Sequence, residues 1–141
     1  MLVFLNIISS LLSLIPRRLC LLLGRQFGLI IYYIGIRKYV AKINLEIAFP
    51  HYSASKRKSI LVDCYKHFGM VAFDFLSQKS IDKNNFKNYF TFDKNLLTKL
   101  KNADGGCILT AHIGNWEAIG PFFGISNINI DIVMKEQRNP A

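Results

Sequence analysis

Apolar positions dominate the first quarter of the chain and then give way to periodic patterns. Residues 2–15 are almost wholly apolar, Pro16-Arg17-Arg18 interrupts them, and a second apolar run extends from Leu19 to Gly35 with Arg25 and Gln26 inside it. The first run is shorter than the roughly 20 residues that a bilayer-spanning helix needs. The second carries glycines at 24, 28 and 35. Together they predict a helical hairpin or an oblique anchor lying partly in a bilayer. A basic helix then opens at Arg37 and ends at Pro50, which cannot continue it. Ser53 or Ser55 is placed to cap a helix running to Ser77. Along it Leu61, Cys64, Tyr65, Phe68, Val71, Ala72, Phe75 and Leu76 recur at helical spacing, an apolar stripe that reads as core.

From Gln78 to Asp104 the pattern turns polar, with a loop at Asp82-Lys83-Asn84-Asn85, a strand candidate over 89–92 and a short helix over 95–102. Gly105-Gly106 gives a turn, and Cys107 to Ala111 is an apolar run of the kind that forms a buried strand. His112 falls at its exit. Gly114 permits a backbone conformation that other residues resist. Asn115 is an N-cap candidate for a helix beginning at Trp116, with Glu117 in its first turn. Residues 128–134 read as a second β-branched strand. Two strands separated by a helix argue for a parallel βαβ unit, with His112 at a strand's carboxyl end, where open α/β sheets place ligands. The predicted class is therefore α/β: membrane-associated helices over residues 1–36, then the start of a βαβ domain over 37–141. An apolar run followed only by Arg138-Asn139-Pro140-Ala141 leads us to expect a truncated or split product.

Composition narrows the setting. Of the 141 residues, 51% are hydrophobic and 19% charged, and the mean hydropathy of +0.23 is high for a soluble protein. A peripheral or singly anchored protein fits these values. The net charge of +9 is uneven, with six Lys/Arg against one acid in residues 1–50, ten against five in 51–104 and two against three in 105–141. Such a surplus serves nucleic acid or an anionic membrane surface. The chain has no zinc-finger spacing, aromatic RNA-binding signature or helix-turn-helix pattern, so nucleic acid is excluded in favour of the membrane. Arg17, Arg18, Arg37, Lys38 and Lys42 flank the apolar runs, which keeps those flanks on the cytoplasmic side. Positive charge follows the first run instead of preceding it, against a signal peptide. The three cysteines lie more than forty residues apart and read as reduced structural residues, not as a disulfide framework or zinc site. No phosphate loop, nucleotide signature, serine elbow or metal cluster is present, so no cofactor and no metal are expected.

The candidate chemistry lies at His112 and Glu117. On one continuous helix five residues would separate the two side chains by about 140°. With the chain turning at Gly114 they can converge, the carboxylate accepting from one ring nitrogen and leaving the other as a base for a hydroxyl proton. The bland alternative is a core-edge histidine and a helix-start acid.

The block His112-Ile113-Gly114-Asn115-Trp116-Glu117 resembles the His-x4-Glu variant of the lysophospholipid acyltransferase superfamily motif, specifically its lipid A biosynthesis acyltransferase branch. Asn44-Leu45 and Ala48-Phe49-Pro50, upstream, also resemble that family, as does Asn139-Pro140 downstream. Lys135 stands where an arginine is usual there, Met134 replaces an aromatic residue and Glu136 a proline. The resemblance implies an enzyme moving a fatty acyl chain from an acyl carrier protein thioester to a hydroxyl of a lipid A precursor. It implies His112 as general base, Glu117 as its partner, and substrate contacts at Gly114, Asn115, Lys135 and Arg138. It places the work on the cytoplasmic face of a bacterial inner membrane. Two other readings stand beside it: a phospholipid acyltransferase acting on a glycerol phosphate, and a non-catalytic membrane-bound fragment of such an enzyme.

Overall fold

A computed structural model describes residues 2–131, and among them every regular element is helical. Six α-helices follow in order: α1 (Leu2–Ser13), α2 (Arg17–Ile34), α3 (Lys38–Ala48), α4 (Ala54–Leu76), α5 (Lys94–Asn102) and α6 (Ile119–Ile125). Short 3₁₀ turns lie at Gln78–Ser80, Phe86–Asn88 and Trp116–Ala118. The described residues form two compact units, one of residues 2–80 with 110–118, the other of residues 81–109 with 119–131.

In the first unit the helix ends follow local chemistry. Pro16 starts α2, and Gly35 closes it in the left-handed region at φ +88°, its N–H bonded to the Ile31 carbonyl, a conformation that glycine adopts without penalty. Arg37 at φ 54° opens α3, and α2 and α3 are bent from one another by 96°. The Ser53 side chain accepts from the Lys56 amide and caps α4, as the sequence predicts. Arg57 donates to the carbonyls of Phe49 and Tyr52, tying the α3–α4 turn to the start of α4.

The core of this unit is the α2–α4 pair, and glycines set its closeness. Cys20, Gly24, Gly28 and Tyr32 form the buried face of α2, and Leu61 and Gly69 are buried on α4. A Cβ at Gly28 would lie 2.1 Å from the Tyr65 carbonyl oxygen, and one at Gly69 2.1 Å from that of Gly24. The two backbones therefore touch directly. This rotates α4 away from the orientation its large residues predict. Phe68 is 68% and Phe75 47% exposed, and Cys64 is also exposed, because the helix docks along Leu61, Tyr65, Gly69 and Phe73 instead. α1 is fixed to the far end of α4 by Ser9 Oγ donating to Leu76 O at 2.6 Å and by Lys79 Nζ donating to Asn6 Oδ1 at 3.3 Å.

The second unit corrects the predicted class. No strand forms among the described residues, so the α/β expectation and its βαβ unit are replaced by helices and irregular chain. Gly105 does turn the backbone, at φ +113°. The run after it stays irregular, with Leu109 95% exposed. An extended run of branched residues gains its hydrogen bonds only from a neighbouring strand, and none of the described residues supplies one. Residues 128–131 are likewise irregular, and the rest of that predicted strand lies outside the described residues. The strand candidate over 89–92 fails for a different reason. Asp82 Oδ1 accepts from the Asn84 and Asn85 amides and starts a tight turn. Beyond it the rings gather: Phe86 stacks on Phe92 at 5.9 Å, while Phe90 and Phe92 meet Phe122 at 5.3 and 5.1 Å. Ring contacts with α6, not strand alternation, bury these aromatics.

Candidate active site

The predicted motif occupies a tight turn within the first unit. Ile113 N–H donates to Ala111 O at 2.8 Å, placing His112 at the centre of a three-residue turn. Gly114 follows with φ +62°, the left-handed conformation its position demands. A Cβ there would meet nothing within 4 Å, so the space beside this backbone is open. Ala118 N–H then donates to Asn115 O at 3.2 Å, closing the 3₁₀ turn that carries Trp116 and Glu117.

His112 is exposed and lies against Trp116, the ring centroids 4.2 Å apart and inclined at 45°. Glu117 is half-buried in the first turn of the 3₁₀ segment. No hydrogen bond or ion pair joins His112 to Glu117 among the described residues. Lys135 and Arg138 lie outside them. No group of three or more His, Cys, Asp or Glu side chains among the described residues could hold a metal ion.

Asn115 departs from its predicted capping role. Its Nδ2 donates to Asp74 Oδ2 at 2.7 Å, across 41 residues of chain, and its Oδ1 is buried with no partner. Asp74 in turn receives Arg17, Nε on Oδ1 at 2.9 Å and Nη2 on Oδ2 at 3.2 Å, the paired geometry in which guanidinium binds carboxylate most strongly. Sequence reasoning missed both residues in this role. The signal available was Asp74 itself, an acid between Phe73 and Phe75 on the apolar end of α4, where a carboxylate requires partners. Beside this group Cys20 is fully buried, and burial pushes its thiol above the ordinary value, opposed in part by a hydrogen bond with Ser77.

Against known families, the chain matches over residues 1–141 the model described as bacterial lipid A biosynthesis acyltransferase. No curated protein and no solved structure matches.

Proposed function

The chain belongs to the bacterial lipid A biosynthesis acyltransferase family, and we propose that it moves a fatty acyl group from an acyl carrier protein thioester to a hydroxyl of a lipid A precursor. The observation that carries this reading is the His112-to-Glu117 block standing on an open turn inside the family match. His112 takes the acceptor hydroxyl's proton as the oxygen attacks the thioester carbonyl. The C–S bond then breaks, and the imidazolium returns the proton to the departing thiolate. Glu117 accepts from the other ring nitrogen and stabilises the imidazolium. That no hydrogen bond joins them in the free protein is no obstacle, since acid–base hydrogen bonds commonly tighten only when substrate is bound. Gly114 and Asn115 line the acceptor's approach, and Lys135 and Arg138 serve its phosphate.

The setting is the cytoplasmic face of the bacterial inner membrane. No single helix among the described residues is long and apolar enough to cross a membrane, while α2 and α3 meet that test only as a bent pair. Val3, Phe4, Ile7 and Leu11 on α1 and Leu14 just after it, with Leu19, Leu23, Phe27, Ile30 and Ile34 on α2, are exposed. They recur at helical spacing, the pattern of helices that lie in an interface. Basic residues at 18, 25, 37 and 42 are exposed beside them and suit anionic headgroups.

The test is acyl transfer by the full chain in anionic bilayers, with an acyl carrier protein thioester and a lipid A precursor. His112→Ala is expected to lower the rate by about 10² to 10⁴, the usual loss for a positioned general base. Undiminished transfer by that variant would overturn the mechanism. Transfer to glycerol phosphate in preference to the lipid A precursor would overturn the acceptor.

A further inference from the structure

We propose that Asp74 and Arg17 are positioning residues for the His112 turn. Asp74, near the end of α4, and Arg17, at the start of α2, lie 57 residues apart in the chain and outside every motif the sequence presents. A carboxylate can only accept, so Asp74 decides which end of the Asn115 amide faces it. The Nδ2 end donates, and Oδ1 is turned the other way, buried and without a partner. Arg17 holds both carboxylate oxygens, which fixes the plane of the group and balances its charge in a half-buried place. One residue beyond Asn115, Trp116 carries the ring on which His112 lies. The helix pair is thus connected to the imidazole through Arg17, Asp74, Asn115 and Trp116, and among the described residues the Asn115–Asp74 bond is the side-chain hydrogen bond that ties the Gly114-containing turn to the helices. This assignment rests on the acyl-transfer reading for its meaning in catalysis, though not for the position of the turn.

Trp116 is the only tryptophan of the chain, so its emission reports this turn directly. The experiment follows the emission intensity and wavelength of the full chain in lipid nanodiscs, together with quenching by acrylamide, for wild type and single variants. Trp116 is half-buried against the His112 ring, so the wild-type indole should emit to the blue of free tryptophan and be partly shielded from acrylamide. Asn115→Ala, which cuts the clamp but leaves the Arg17–Asp74 pair and the helix packing, should shift Trp116 emission to the red and gain acrylamide access. Asp74→Ala should do the same. Asp74→Asn keeps an oxygen for Asn115 and should restore the wild-type signal. In the transfer assay Asn115→Ala and Asp74→Ala should lower kcat by up to about 10²-fold, the cost of displacing a reacting group by about 1 Å, and Asp74→Asn should recover much of it. If Asn115→Ala leaves both fluorescence readouts unchanged, the clamp does not hold the turn. The clamp fails equally if Asp74→Asn matches Asp74→Ala while Asn115→Ala is silent, because Asp74 would then serve only the ion pair between helices. The fluorescence needs no substrate. Absence of acyl transfer by the wild-type chain would therefore remove the acyl-transfer reading alone, and unaltered Trp116 emission and quenching in Asn115→Ala would remove this one alone.

Discussion

At the residue scale, Glu117 has two possible roles with different kinetic consequences. If its carboxylate stabilises the His112 imidazolium, Glu117→Ala should slow transfer severely and Glu117→Asp less, because the shorter acid can still reach the ring. Groups that act as one unit are strongly non-additive, so the His112→Ala, Glu117→Ala double variant should be little slower than His112→Ala. Transfer rates of the four proteins at matched folded concentration decide the matter, and multiplication of the two single effects would confine Glu117 to starting its 3₁₀ turn, where an acid is favoured by the backbone dipoles. The three cysteines give a check that needs no substrate. Cys64 and Cys107 are exposed and Cys20 is buried, and burial raises the Cys20 thiol pKa, which lowers its reactive thiolate fraction. Alkylation of the native protein should label two thiols promptly and the third only on unfolding. Rapid modification of all three would contradict the α2–α4 packing.

At the element scale, glycines at the helix crossing and glycines elsewhere predict opposite signs. A methyl group added at Gly28 would meet the Tyr65 backbone at 2.1 Å, and backbone cannot move aside as a flexible side chain can. Gly28→Ala should therefore destabilise by about 1–3 kcal/mol, the usual cost of overpacking. Gly124 in α6 has open space around its Cβ position, and Gly124→Ala should stabilise by roughly 0.5–1 kcal/mol through the smaller entropy loss of alanine. Chemical denaturation of both variants checks the pair of signs. The same glycines show what sequence alone could reveal. Ser53 and Pro50 placed helix ends correctly because their effect is local. The docking face of α4 was hidden, since Phe68 and Phe75 outweigh Gly69 in any apolar pattern, whereas packing followed the small residue. The strands over 107–111 and 128–134 were inferred from branched residues, whose preference depends on neighbouring strands. Gly114 was legible as a turn residue from its place in the motif, but Asp74 and Arg17 were not legible as its supports. Their contacts cross 41 and 57 residues, and no local pattern carries such pairings.

At the scale of the whole molecule, the first unit combines exposed apolar stripes with a basic surplus, and salt separates their contributions to membrane binding. Each Lys or Arg near an anionic surface contributes about 1 kcal/mol, but that attraction fades as the screening length shrinks from about 10 Å at 0.1 M to about 3 Å at 1 M salt. Apolar insertion does not fade in this way. The wild-type chain should therefore float with anionic vesicles at both salt concentrations. Phe4 and Leu14, 65% and 82% exposed on and just after α1, lie away from the contacts that Ser9 and Asn6 make with the end of α4. Replacing both with glutamate should leave the α2–α4 core folded while removing much of the inserting surface of α1. That variant should bind anionic vesicles at low salt, through the basic residues, and come off at 1 M salt. Circular dichroism equal to wild type is the control that the first unit is intact. If the wild-type chain stays in the soluble fraction at low salt, or if the double variant floats as well as wild type at 1 M salt, the exposed stripe of α1 is not a membrane surface.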